Sequence, residues 1–298
     1  MDPSLLCKAF FVLGSAVNIG GTLIPSFREQ IMNYGSRGTP STTSPQKQEK
    51  QPLNFFEYIS SIQVPHTWFT HYYMVSVLSS IFWGYQIYNH GPAIEVLAAY
   101  TTRKDGTMTV NQVFLAWTLM AIQGSRRLYE SITLTKPSQS KMWVGLWLIG
   151  MAYYAVMGIS VWIEGSAVLD HDGRWGSLLQ FGNPSAKTLT AVPLFLLASL
   201  AQHDCHVYLA SLKKYTLPQR YLFRKVVCPH YACECLIYIA IAIVAAPPGQ
   251  MLNSTVLAGL GFVASNLGVT ADSTKKWYMK KFGAVNVVDR WRMIPYVY

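Results

Sequence analysis

Charge is scarce in this chain: Asp, Glu, Lys and Arg make up 13% of its 298 residues, while hydrophobic residues make up 51%. Soluble proteins carry about 25% charged residues, so the surface here has too few charges to face water throughout. Acidic side chains are the scarcer kind, 14 against 24 Lys and Arg, which gives a formal net charge of +10. Nucleic acid is a poor partner for that excess, because the basic residues stand between apolar stretches, where they orient membrane proteins. Cysteines are few and odd in number: Cys7, Cys205, Cys228, Cys233 and Cys235. None forms a CxxC pair, so a disulfide framework is not expected and the five read as small apolar residues in helices. No GxGxxG follows a strand and no GxxxxGK[ST] occurs, which removes Rossmann and P-loop nucleotide sites. His66 with His71, and His203 with His206, lack an HExxH pattern or carboxylate pairing, so no metal site is expected. A cleavable signal peptide is not evident either: residues 9–27 carry no charge and no convincing cleavage site, and they read as a retained span.

Apolar runs are what the chain has in plenty. Crossing a bilayer takes about 20 residues in a helix. Seven stretches reach or approach that length, near residues 5–27, 68–88, 107–125, 142–163, 188–210, 230–246 and 251–271. The expected fold is all-α: a polytopic bundle of about seven transmembrane helices, forming one membrane-embedded domain over residues 1–298. Residues 36–52 are rich in Ser, Thr, Pro, Gln and Lys, cannot bury a core, and read as a mobile polar loop. Loop charge sets the orientation. Residues 124–142 hold Arg126, Arg127, Lys136 and Lys141 against Glu130, and residues 164–186 hold Arg174 against Glu164, Asp170 and Asp172. Residues 211–229 hold only basic charges, and the tail 272–298 has six basic residues against Asp272 and Asp289. Positive segments stay cytoplasmic, so the C-terminus is expected in the cytoplasm and the N-terminus across the membrane. The Asn253-Ser254-Thr255 sequon then lies on the far side, too near the bilayer for much glycosylation.

On that topology the polar residues within the spans gather at the cytoplasmic level. Arg126 and Arg127 end the third span. Gln202, His206 and Lys213 follow the end of the fifth at offsets that share one helix face at about 100° per residue. His230, Tyr231 and Glu234 open the sixth; Asn266 lies late in the seventh, with Lys275 and Tyr278 just beyond. Ionisable residues at a span centre cost roughly 2.5–3.5 kcal/mol each, so their convergence points to a site. Cationic and amide donors near a helix N-terminus suit a phosphorylated, anionic ligand such as a nucleotide cofactor entering from the cytoplasm.

Several motifs carry a resemblance to a known family: the run Val64-Pro65-His66-Thr67-Trp68-Phe69-Thr70-His71-Tyr72-Tyr73, then Arg126-Arg127-Leu128-Tyr129-Glu130, Gln202-His203-Asp204-Cys205-His206, Pro229-His230-Tyr231-Ala232-Cys233-Glu234 and Lys276-Trp277-Tyr278-Met279-Lys280-Lys281-Phe282, closing on Arg290 and Ile294-Pro295-Tyr296. Over residues 60–298 the chain resembles the steroid 5α-reductase family, and within it the polyprenol (polyprenal) reductase branch of fungal type. The resemblance implies a seven-helix bundle with NADPH in a cytoplasm-facing pocket, and a C-terminal cofactor-binding half over residues 187–298. It carries cofactor contacts onto Gln202, His206, Lys213, His230, Glu234 and Tyr278, and matches Arg127 to an arginine of the family's third-span motif. Two positions depart from the pattern. The steroid branch's ketone-polarising tyrosine corresponds to Gly124 or Ser125 here, and a histidine common shortly before Tyr278 is replaced by Lys275 or Thr274.

The reading that follows is an NADPH-dependent oxidoreductase of the endoplasmic reticulum membrane. It would reduce the α-isoprene double bond of a long-chain polyprenoid and supply dolichol for protein glycosylation. Hydride adds readily to a carbon–carbon double bond only when a conjugated carbonyl accepts the charge, which favours polyprenal over polyprenol as direct substrate. His71 and Tyr129 are the candidates for stabilising the oxyanion and delivering the proton. Partners beyond the lipid substrate and the bilayer are not evident, and neither nucleic acid nor an obligate protein is among them. The competing readings are a 3-oxo-steroid 4-ene or trans-2-enoyl thioester reductase on the same fold, and a seven-span receptor or transporter.

Overall fold

The computed structural model describes residues 1–24, 61–102, 107–136, 138–169 and 183–298. The polar segment 36–52, part of the first expected span and most of the acidic loop 164–186 lie outside the described residues. Among the described residues, seven long helices stand in or beside the seven apolar stretches. In chain order they are α1 (Pro3–Gly21), α2 (Thr70–Tyr88), α4 (Val110–Thr133), α5 (Val144–Ser160), α6 (Ala186–Ser211), α7 (Pro229–Val244) and α8 (Ser254–Phe282). An eight-residue helix, α3 (Pro92–Ala99), follows α2. Two three-residue strands, β1 (Gln63–Pro65) and β2 (Lys141–Trp143), pair antiparallel with Val64 opposite Met142.

By length and composition three helical segments can cross a membrane: α1, the stretch Val144–Leu169 that begins with α5, and α8. Helix α7 is apolar but only 16 residues long. Helices α4 and α6 are long but interrupted by Gln123, Arg126, Arg127 and Glu130, and by Gln202, His203 and His206. Those interruptions are the side chains that build the site below, so function costs these helices their hydropathy. The bundle's outer face is apolar, with Leu13, Leu78, Leu197 and Leu200 all exposed. Such a surface suits lipid rather than water.

Neighbouring contacts fix the helix directions. Thr70 meets Ser131 across α2 and α4 while Trp117 donates to the Ser80 carbonyl farther along, so these two run antiparallel. Gln202 meets Glu234 at one end of α6 and α7, and Lys187 meets the carbonyls after α7 at the other. Asn18 reaches Ser265 while Phe10 packs on Phe262, so α1 runs parallel to α8. The result puts the starts of α2, α5 and α7 and the ends of α4, α6 and α8 at one end of the bundle. The C-terminal tail sits at that same end: Val227 donates to the Trp291 carbonyl, and Arg290 donates to the carbonyls of Pro218 and Phe223.

The main core encloses Phe11, Trp162, Phe195 and Tyr238, and two smaller buried clusters lie around Val227, Val287 and Met293 and around Val64, Tyr72 and Met142. All five cysteines are buried free thiols on or beside α1, α6 and α7, as small apolar residues should be. At the end opposite the site, Asn253 is 0% exposed and caps α8, accepting from the Thr255 and Val256 amides and donating to the Ala245 carbonyl. That burial closes the sequon physically.

Candidate functional site

The site is built around a carboxylate. Glu130, only 2% exposed, lies one turn from the end of α4 and needs charged partners at that depth. It accepts from Arg126 at 2.5 Å and from Arg127 on its own helix, and from the Nδ1 atoms of His203 and His206 on α6 at 2.7 and 2.8 Å. Because a carboxylate only accepts, His203 carries its proton on Nδ1, while His206 Nδ1 lies between Glu130 and an Arg127 N–H at 2.9 Å. Arg126 extends the cluster, donating to Gln123 at 2.8 Å and to Gln202. Gln123 and Gln202 in turn donate through their amide nitrogens to one oxygen of Glu234, at 3.2 and 2.5 Å, and Gln202 also reaches the His230 carbonyl. The polar residues of α4, α6 and α7 therefore form one connected network.

That network forms one wall of a cavity of about 420 Å³. Its polar side is Arg127, Gln202, His206, His230, Tyr231, Glu234 and Asn266, and its other side is aromatic, with Phe69, Tyr72 and Tyr73 of the α2 region, Tyr153 and Tyr154 of α5, and Phe262 of α8. A second cavity of about 390 Å³ adjoins it, sharing His66, Phe69, Tyr73, Arg127 and His206 and reaching outward to Thr135 and Lys136. Among the described residues only one of the two Glu234 oxygens is used, and the Tyr153 and Tyr238 hydroxyls and His230 Nδ1 beside the cavity are buried without a hydrogen-bond partner. The pairing of β1 with β2 fixes the entry of α2 and α5: Tyr72 donates to the Leu146 carbonyl at 3.2 Å, and the next residue, Tyr73, is turned to Arg127.

Of the residues singled out from sequence, Arg127, Gln202, His206, His230, Tyr231, Glu234 and Asn266 come together on one cavity wall. Lys213 does not. Helix α6 ends at Ser211, with Leu212 already extended, so the helical phase that aligned Lys213 with Gln202 stops short of it, and it is exposed. Tyr278 lies two turns past the cavity, against Trp277 and Phe282. His71 packs between Trp68 and Trp147 off the cavity wall. Tyr129 is 61% exposed on the outer face of α4. Sequence reasoning missed Gln123, Glu130, His203 and Tyr73 as site residues. The first two carried a signal: Gln123, Arg126, Arg127 and Glu130 have the three- and four-residue spacing of one helix face.

Residues 173–298, which include α6, α7 and α8, match the family described as 3-oxo-5-alpha-steroid 4-dehydrogenase. The match is to a steroid 5α-reductase family domain and covers less than half of the chain. That domain supplies Gln202, His206, His230, Glu234 and Asn266, whereas Arg127 and most of the aromatic wall precede it. Full-length similarity is to proteins named polyprenal reductase. The one from Saccharomyces cerevisiae is 27% identical over 97% of this chain and 92% of its own length. Polyprenal reductase 1 of Arabidopsis thaliana is 27% identical over 94% and 92%, and polyprenal reductase of Xenopus laevis 25% over 100% and 94%.

Proposed function

We propose that this chain is a membrane-embedded oxidoreductase that uses NADPH to reduce the α-isoprene double bond of a long polyprenal, giving dolichal. It would work in the endoplasmic reticulum membrane with its site and C-terminus toward the cytoplasm, supplying dolichol for protein glycosylation. The observation that carries the reading is a single cavity with a donor-rich wall from α4, α6, α7 and α8 facing an aromatic wall from α2 and α5. The relatives named polyprenal reductase, from a yeast, a plant and a frog, support the substrate.

The donor wall fits a nicotinamide nucleotide. The unused Glu234 oxygen suits a carboxamide N–H. Arg127, Gln202, His206, Tyr231 and Asn266 complete that end, while Lys213 and Tyr278, outside the cavity, would serve the phosphate-bearing end. When bound, the cofactor supplies a hydride for the substrate's β-carbon. The chain's residues do the rest. The aromatic wall holds the first isoprene unit and keeps bulk water away, the tail runs out among the apolar helices, and the cationic Arg127 places positive charge near the carbonyl oxygen. An allylic alcohol offers no such oxygen to stabilise, so the aldehyde is the direct substrate.

Purified protein with NADPH should convert polyprenal to dolichal and leave polyprenol essentially untouched. Assays on a 3-oxo-Δ4 steroid and a trans-2-enoyl thioester complete the test. Equal turnover of pure polyprenol, or faster turnover of the steroid or thioester than of polyprenal, would overturn the assignment.

A further inference from the structure

We infer that Tyr73 is a catalytic residue, the group that hydrogen-bonds the carbonyl oxygen of the unsaturated aldehyde and gives it a proton. This rests on the reductase reading above. Tyr73 stands in the first turn of α2 and lines both adjoining cavities. Its oxygen accepts an N–H from Arg127 at 2.6 Å, and the guanidinium carbon lies 4.7 Å from its ring centroid. The phenol's own proton has no acceptor among the described residues, so it is available to a ligand. The arrangement is held from both sides. Arg127 is tied to Glu130, and the Tyr73 ring packs edge-on against Tyr154 with centroids 5.6 Å apart. Its neighbour Tyr72 is committed elsewhere, donating to the Leu146 carbonyl. A cationic N–H fixed on a phenol oxygen stabilises the negative charge left there when the proton departs.

The step balances as follows. One hydride, carrying two electrons and supplied by a reduced nicotinamide, forms the new C–H bond at the β-carbon. The alkene π pair moves to join the α-carbon to the carbonyl carbon, and the carbonyl π pair moves to oxygen. The Tyr73 proton bonds that oxygen, leaving a phenolate beside Arg127 and an enol. The enol O–H proton then returns to Tyr73 while the α-carbon takes a proton from a water entering through the adjoining outer cavity, which leaves hydroxide to bulk solvent. The net addition is one hydride and one proton.

The test is Tyr73→Phe, which keeps the ring and removes the O–H. Turnover of polyprenal should fall by about 100-fold or more, the usual contribution of a positioned acid. NADPH affinity by titration should stay within about twofold of the parent, because Tyr73 acts on the substrate. If the parent itself does not reduce polyprenal, the reductase reading fails and this inference with it. If the parent is active and Tyr73→Phe keeps a third or more of its turnover while binding NADPH normally, Tyr73 is not the donor and the reductase reading survives. Should Tyr73→Phe not fold, a difluorinated tyrosine at position 73, more acidic but nearly the same shape, gives a second readout. The alkaline limb of the turnover–pH profile should then move to lower pH, and an unmoved profile overturns the inference.

Discussion

Glu130 shows how much of the site hangs on one side chain. Removing its carboxylate leaves Arg126 and Arg127 facing two histidines with no anion between them. Breaking a buried ion pair by deleting one partner costs about 3–5 kcal/mol. Glu130→Ala is therefore expected to melt well below the parent and to lose NADPH affinity, with Glu130→Gln keeping more of both. Melting and titration of the purified variants check this, and a parent-like Glu130→Ala would remove the hub from the site. Glu234 is expected to behave differently, because one of its oxygens is held by Gln123 and Gln202 and the other faces the cavity. Losing a charged hydrogen bond to a ligand costs roughly 1.5–3 kcal/mol, or about tenfold or more in affinity. Glu234→Ala should thus weaken NADPH binding by that factor and Glu234→Gln by less, as titration will show, with little change in the yield of folded protein. At this scale the sequence was readable wherever a helix carried its own register: Gln202 with His206, and His230 with Glu234, fall on the cavity wall. It was unreadable where the partner came from another helix. His203 looked like half of a weak metal pair until α4 brought Glu130 to it, and Tyr73 looked no different from Tyr72 until Arg127 was in place.

Among the elements, α1 is fastened at its start by Asp2. That carboxylate accepts from the backbone and hydroxyl of both Ser4 and Thr102, capping the helix and tying it to the segment after α3. Partial burial raises its pKa, but these hydrogen bonds outweigh it and bring the group from 3.8 down to about 2. A depressed folded-state pKa means that the stabilisation is fully present above pH 3.8 and is lost as pH falls through about 2. Asp2→Asn should therefore melt below the parent at neutral pH, and the gap should close between those two values in detergent melts. Where α2 crosses α4, a Cβ on Gly84 would stand 2.6 Å from the Trp117 ring, which is pinned by its bond to the Ser80 carbonyl. Gly84→Leu should destabilise the bundle by about 1–3 kcal/mol through overpacking, measured by thermal unfolding, whereas the same change at Gly20, with nothing near it among the described residues, should not. The seven long helices were legible because each lies in a mainly apolar stretch, even where polar site residues interrupt α4 and α6. The β1–β2 pair and α3 were not, since three residues show no alternation and α3 lies in or against apolar sequence continuous with α2.

At the scale of the whole molecule, a basic cluster and the site lie at the same end of the bundle. Lys213, Lys214, Arg220, Arg224 and Lys225 follow α6, and the tail that folds onto them brings Arg290 and Arg292 to the same level. The cavity opens between the starts of α2, α5 and α7 and the ends of α4, α6 and α8, which this basic cap surrounds. Basic segments are retained on the cytoplasmic side during insertion, and the cytoplasm is where an enzyme of this kind would meet soluble NADPH. Topology and cofactor access are thus one question with one measurement. A tag placed after Tyr298 should be cleaved by protease added to sealed microsomes without detergent. Asn253, at the opposite end, should carry no glycan even though that end is then lumenal, because its side chain is spent on capping α8. A tag that stays protected until detergent is added would put the basic cap and the cavity mouth in the lumen, and the proposed use of cytoplasmic NADPH would fall with the orientation.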